Sequence, residues 1–193
     1  MNMKKLFVAS LIVLFAVSAN AQFKIGIQGG LNVANMKWDG LTGTKSLIGF
    51  RAGLIGDISL GPIGVQPGIL FSQKGIAESG GDGKIALNYI DVPVNLVYKI
   101  GLPGAKILLM AGPNFGYALN GKLSGGGSSS TIEFGSGDNQ LKKLDLGLGL
   151  GAGVQFLKLQ GTVNYTMGLT NLSNVSSQTI KNNVLSISLA FFF

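Results

Sequence analysis

The stretch LDLGLGLGAGVQFLKLQGTVNYTMGLT, residues 144–170, decides the fold class. From Leu144 to Phe156, and again from Leu159 to Thr170, apolar residues alternate with glycine or polar residues. Such alternation is typical of β-strands with one apolar face, because successive side chains of a strand point to opposite sides. Only Leu157 and Lys158 separate the two segments, so the stretch predicts two antiparallel strands joined by a tight turn.

The same pattern recurs along the chain and predicts eight strands, at about residues 23–36, 47–59, 63–74, 86–100, 105–118, 142–156, 159–170 and 183–193. Most have the length of a tilted membrane strand, about 9 to 11 residues or a few more. Long polar connections at about 37–46, 75–85, 119–141 and 171–182 alternate with tight turns at 60–62, 101–104 and 157–158. The sequence therefore predicts an all-β fold, an eight-stranded antiparallel up-and-down transmembrane β-barrel with both termini periplasmic. The glycine and serine run at 125–130, in the longest loop, is predicted to be flexible.

The apolar face of these strands is predicted to point outward, into lipid. A soluble lipocalin-like barrel would need a well-charged exterior, whereas the second face here is mostly Gly, Thr, Ser, Asn and Gln, which suits a narrow lumen. Nine aromatic residues fall on the apolar face in two groups, Phe50, Phe71, Phe115 and Tyr117 near the loops and Phe23, Tyr98, Phe156, Phe191 and Phe193 near the turns. Two aromatic belts are typical of the two interfaces of a membrane.

The N-terminus has the three parts of a secretory signal peptide. Lys4 and Lys5 supply the positive region, residues 6–17 form an apolar run, and Ala19 and Ala21 form a small-residue cleavage site. The apolar run is too short to span a bilayer as a helix. We therefore predict a signal peptide at residues 1–21 and a single barrel domain at residues 22–193, beginning at Gln22.

The composition excludes several kinds of chemistry. The chain has no cysteine and no histidine, so it has no disulfide, thiolate metal site or histidine base. The acidic residues show no paired-carboxylate or calcium-loop spacing, and we expect no catalytic residue, cofactor or metal site. The formal charge is +7, but no Lys/Arg cluster interleaves with aromatic residues, so nucleic acid is not an expected partner. The excess positive charge is expected to attract anionic lipopolysaccharide, which is the expected lipid partner.

The inward face carries charges at both ends of the predicted lumen. Arg51, Asp91 and Asp145 lie towards the loops, and Asp57, Lys99 and Lys106 lie towards the turns. Because charges in a narrow lumen are costly unless paired, we expect Arg51 to meet Asp91 or Asp145, and Asp57 to meet Lys99 or Lys106. Such pairs would close the lumen. Pro67, Pro93 and Pro113 also fall inside predicted strands, where each lacks a backbone donor.

Four segments resemble the PorT-like small outer-membrane β-barrel family of Bacteroidota, which is OmpA/OmpX-like in its eight strands. They are FKIGIQGGLN at 23–32, YIDVPVNLVY at 89–98, the glycine-rich strand at 146–153 and the closing residues 186–193. The resemblance implies an outer-membrane barrel without shared catalytic residues. It also implies that Phe193, with Phe191 before it, forms the signal read by the barrel-assembly machinery.

Several functions remain open at this point. The favoured one is a non-enzymatic, surface-exposed structural barrel with a lumen filled by side chains. A narrow porin-like passage for small solutes is an alternative, and an accessory component of a secretion or envelope machine, with an unknown protein partner, is another. An enzyme acting on lipids is a third class.

Overall fold

The computed structural model describes residues 22–38, 43–137, 140–175 and 178–193. The predicted signal peptide, with Ala19 and Ala21, lies outside these residues. None of the described residues belongs to a helix long and apolar enough to cross a membrane.

Eight long strands form a closed antiparallel barrel, as predicted. They are β1 (Gln22–Trp38), β2 (Thr44–Leu60), β3 (Ile63–Glu78), β4 (Lys84–Leu102), β5 (Ala105–Gly125), β7 (Leu144–Phe156), β8 (Leu159–Gly168) and β9 (Ile180–Phe192). Each pairs with its neighbour in the chain, β5 pairs with β7, and β1 pairs with β9 to close the sheet. Closure leaves none of these eight strands as an exposed edge over its full length.

A ninth strand, β6 (Ser128–Ile132), corrects the prediction of a flexible run at 125–130. It pairs with the far end of β5, which continues to Gly125 rather than ending near residue 118. Gly126 and Gly127 form the turn between them, with φ of 58° and 77°. Positive φ at both central residues is what a tight two-residue hairpin turn requires, and glycine adopts it without steric cost. The glycines therefore build a hairpin above the barrel.

The apolar face points outward, and the nine aromatic residues of the predicted belts lie on it. Phe23 and Phe193, at the turn end, are 62% and 67% exposed, and Tyr117, at the loop end, is 48% exposed. Phe50 and Phe71 stack with their ring centroids 5.4 Å apart. On the opposite parity, Asn32, Gln66, Gln160 and Ser188 are buried. The soluble-barrel alternative is thereby excluded, since its apolar side chains would fill the lumen.

The three strand prolines lie beside interruptions in neighbouring ladders. The β2–β3 ladder has no pair between Ile55↔Gly68 and Ile58↔Val65, the interval that contains Pro67. The β3–β4 ladder skips the interval with Pro93, and the β4–β5 ladder skips the interval with Pro113. The register is the same on both sides of each gap, so the missing proline donors are accommodated by local opening and not by a register shift. We call these three gaps the proline seam.

Candidate functional site

The outer end of the lumen is closed by a lid of apolar side chains. Three side chains from two loops pack on lumen residues of the strands. Phe134 and Leu141 come from the loop between β6 and β7, and Leu172 comes from the loop between β8 and β9. The buried cluster that they complete comprises Met36, Ile76, Leu87, Tyr89, Ala118, Ile180 and Leu172 itself. Burial of such side chains on folding is favourable by about 1.5 to 3 kcal/mol each. The lid is therefore a small hydrophobic core built at the mouth of the barrel.

Polar contacts fix the lid loops to one another. Leu141 forms bridges with Phe134 and with Ser173. The side-chain amide nitrogen of Asn174 lies 3.0 Å from each of the carbonyl oxygens of Gly135, Gly137 and Gln140, which share its two hydrogens. These contacts join the loop after β6 to the loop after β8, so the lid spans the mouth.

Beneath the lid lies a buried charge cluster of Lys74, Asp91 and Asp145. The ammonium of Lys74 is 2.9 Å from Asp91 Oδ1 and 3.3 Å from Asp145 Oδ2, and the three side chains are only 4–5% exposed. Asn182 donates to Asp145 Oδ2 at 2.9 Å, and the ammonium also lies 4.6 Å from the centroid of the Tyr89 ring. The cluster joins β3, β4 and β7 across the lumen.

Gly116 makes the charge cluster possible. It is the register partner of Asp91 on one side and of Asp145 on the other, so the two carboxylates flank it. A Cβ added at Gly116 would lie 2.9 Å from Asp91 Oδ1. The Asp91 carboxylate and the Cβ of Asp145 therefore occupy the space that a side chain at position 116 would fill, and Lys74 bridges the two carboxylates.

The predicted pairing of Arg51 with Asp91 or Asp145 is wrong. Among the described residues, no carboxylate lies within 4.0 Å of its guanidinium. Lys74 lies two residues beyond Ser72, the register partner of Arg51, and is therefore closer to the loops. At that level it forms ion pairs with both carboxylates. Lys74 is absent from the predicted lumen charges because the third strand was expected to end at this residue. The alternation of side chains along the strand could have identified it, since Lys74 shares the inward face with the buried Leu70 and Ser72.

A polar layer crosses the middle of the lumen. Gln66 on β3 and Gln160 on β8 exchange two side-chain hydrogen bonds, of 3.0 and 3.2 Å, from opposite walls. The cavity beside them measures about 30 Å³ and is also lined by Arg51, Asn114 and Thr162. That volume holds a few waters, since one water needs about 10 to 15 Å³ by this measure. Arg51 Nε is buried and has no hydrogen-bond partner among the described residues.

The turn end of the lumen opens into a second cavity, which we call the vestibule. It measures about 210 Å³ and its lining includes Lys24, Asp57, Ser59, Lys99, Lys106 and Gln155. Lys99 donates to Asp57 Oδ2 at 2.5 Å and to Ser59 Oγ at 2.6 Å. The structure therefore pairs Asp57 with Lys99, whereas Lys106 is exposed at the mouth and joins no described carboxylate.

The predicted assembly residues lie on the outward face at the end of β9. The Phe191 and Phe193 rings meet edge to face with centroids 5.7 Å apart. The backbone amide of Phe193 donates to the carbonyl of Ile25 at 2.9 Å, which ties the C-terminus to β1. Their role in assembly stays a prediction.

The sequence profile of a family described as "outer membrane protein beta-barrel domain" matches residues 15–174. A comparison with curated protein sequences gives no match. Among solved structures, Neisserial surface protein A is 14% identical, with a TM-score of 0.52 and coverage of 90% of this chain and 99% of that one. Ail of Yersinia pestis, crystallised with the heparin analogue sucrose octasulfate, is 20% identical, with a TM-score of 0.49 and coverage of 89% and 99%. At these identities the similarity concerns the fold alone.

Proposed function

Because the chain belongs to the outer membrane protein β-barrel domain family, we propose that it is a non-enzymatic structural barrel of the bacterial outer membrane that is closed to solutes and displays its lid at the cell surface. The observation that carries this proposal is the succession of closures along the lumen. The lid, the charge cluster and the Gln66–Gln160 pair each join strands that lie apart in the barrel. An eight-stranded barrel has an interior just wide enough for side chains to fill.

The size of the mid-lumen cavity opposes the porin-like alternative. At about 30 Å³ it holds waters but no hydrated ion or sugar. A solute would also have to separate Lys74 from two buried carboxylates and displace the apolar lid. Breaking a buried ion pair costs about 3 to 5 kcal/mol, which makes spontaneous opening rare.

We expect the purified protein to be nearly silent in planar lipid bilayers, because three independent closures block the lumen. Gln66→Ala should stay silent as well, since the charge cluster and the lid remain. An open outer-membrane porin recorded under the same conditions supplies the positive control. Steady, reproducible conductance of the wild-type barrel would contradict the proposal and favour the porin-like passage.

N-terminal sequencing of the same preparation should read from Gln22, and a chain that still carries residues 1–21 would contradict the proposed signal peptide.

Outward-facing lysines at the outer rim support lipopolysaccharide as the lipid partner. Lys37 and Lys181 are direct register partners on β1 and β9, and Lys45 and Lys84 both pair with Ala77. No described carboxylate lies within 4.0 Å of any of these lysines. Like charges directly opposite each other destabilise a sheet, so phosphate groups of lipopolysaccharide would offset the repulsion.

The double variant Lys37→Gln/Lys181→Gln should retain less lipopolysaccharide than the wild type after detergent washing, because it removes the paired positive charges. Lys158→Gln, which removes one lysine at the periplasmic turn, is the matched control and should retain the wild-type amount. Equal retention by all three proteins would rule out the rim as a lipopolysaccharide contact.

The PorT-like resemblance supports a second proposal, an accessory role in a secretion or envelope machine. The segment YIDVPVNLVY at 89–98, which carries much of that resemblance, includes Asp91 of the charge cluster and Pro93 of the proline seam. Crosslinking in intact membranes, followed by identification of the attached protein, distinguishes this role from that of a free-standing barrel.

A further inference from the structure

The vestibule is a basic cavity that the proposed structural role does not use. Lys24 lies on β1 and Lys106 on β5, and three strands separate them in either direction around the barrel. The two lysines therefore come from opposite walls, yet both line the same cavity of about 210 Å³. Lys99, from β4, lines it as well.

The only carboxylate lining the vestibule, among the described residues, is already engaged. Asp57 Oδ2 accepts from Lys99 at 2.5 Å, and Asp57 Oδ1 accepts from Ser59 Oγ at 2.7 Å. Lys24 is the register partner of Asp57 but forms no ion pair with it. The lining side chains, which include three lysines and one aspartate, carry a formal charge of +2. Like charges that share a partly enclosed cavity repel, and a bound anion relieves that repulsion.

We propose that the vestibule binds a phosphate group at the periplasmic face of the barrel. Inorganic phosphate, like a phosphate monoester, carries about −1.5 to −2 charge at pH 7. The phosphodiester of a phospholipid headgroup carries a single negative charge, so either group offsets excess positive charge of the lining. Lys24 and Lys106 donate to its oxygens from opposite sides, as lysines do in phosphate sites. The side-chain amide of Gln155 lines the same cavity and supplies a neutral donor. The phosphate group is either free in the periplasm or the headgroup of an inner-leaflet phospholipid.

Calorimetric titration of inorganic phosphate into the full-length mature protein, held in nanodiscs of neutral phosphatidylcholine, tests the site. We expect saturable binding, and about a tenfold loss of affinity for each of Lys24→Gln and Lys106→Gln, since each removes one charge-assisted hydrogen bond. The matched control is Lys158→Gln. Lys158 lies in the turn after β7 with its ammonium 6.0 Å from the centroid of the outward Phe191 ring, and it does not line the vestibule. Its loss should leave affinity unchanged.

A second set of nanodiscs, containing phosphatidylglycerol, identifies the source of the phosphate. Unchanged binding of inorganic phosphate in these discs assigns the site to a free anion. Weaker apparent binding of inorganic phosphate in these discs than in neutral ones, seen alike for the wild type and for Lys158→Gln, assigns it to the lipid headgroup. The proposal is overturned if no saturable binding occurs in neutral discs at millimolar phosphate, or if Lys158→Gln weakens binding as much as Lys24→Gln. The titration measures phosphate binding and not conductance, so its outcome does not depend on whether the lumen is closed.

Discussion

Replacing Lys74 with methionine is expected to lower the free energy of unfolding by about 3 to 5 kcal/mol, the usual cost of breaking a buried ion pair. Methionine keeps most of the length of the side chain but removes the ammonium. Asp91 and Asp145 would then face each other across Gly116 without the ammonium that pairs with both, in a region where the side chains are 4–5% exposed. Urea-induced unfolding in lipid vesicles, followed by circular dichroism, measures the loss.

Two further variants make the Lys74 experiment specific. Lys84→Met removes an exposed lysine of the outer rim and should change the free energy of unfolding by no more than about 0.5 kcal/mol. The triple variant Lys74→Met/Asp91→Asn/Asp145→Asn removes all three charges and should recover most of the lost stability, because no unpaired charge remains. If Lys74→Met is as stable as Lys84→Met, the charge cluster does not stabilise the barrel.

The second large effect is expected at Leu148, on the outward face of β7. Leu148→Arg should lower the free energy of unfolding by about 2 to 4 kcal/mol, the cost of arginine on the lipid face near the middle of a bilayer. Leu148 is 40% exposed, and its register partners are Pro113 on β5 and Met167 on β8. The same vesicle-based unfolding measurement applies.

Neighbouring positions provide the controls for Leu148. Leu157→Arg places the same side chain in the turn after β7, where Leu157 is 77% exposed outside the strands, and should cost about 0 to 1 kcal/mol. Gly149→Ser adds a small side chain to the lumen face, where a Cβ would meet the flexible end of Asn164 at 3.1 Å, and should be mildly destabilising. Equal stability of Leu148→Arg and Leu157→Arg would mean that the outward face of β7 is not in lipid.

The barrel itself could be predicted from the sequence because its information is local. Alternation at 144–156 and 159–168 reports which side chains share a face, and the turn at Leu157 and Lys158 limits the pairing of the two strands to one arrangement. The alternation of long and short connections then determines the up-and-down order. None of this requires knowledge of contacts between residues far apart in the chain.

The closures of the lumen could be predicted only in part, because they depend on contacts across the barrel. Asp57 and Lys99 were identifiable from parity and from their shared turn end, whereas Lys74 lay at a strand end that was placed too early. Phe134 and Leu172 lie in polar loops, and no period in those loops marks them as lid residues. Arg51 was predicted to pair with Asp91 or Asp145, but Lys74 pairs with both. Arg51 and Lys74 both face inward, so the alternation of the strands does not show which of them binds the carboxylates.

The proline seam makes one side of the barrel wall, three of its eight ladders, more compliant than the other five. From β5 through β7, β8, β9 and β1 to β2, the main ladders run without a skipped pair, whereas the three consecutive ladders from β2 to β5 each contain a gap. Local opening concentrates where backbone hydrogen bonds are fewest. Lateral pressure from the surrounding lipid will therefore deform the cross-section mainly on the side formed by β2, β3, β4 and β5. Backbone amides next to Pro67, Pro93 and Pro113 will exchange with solvent deuterium before those of β8 and β9.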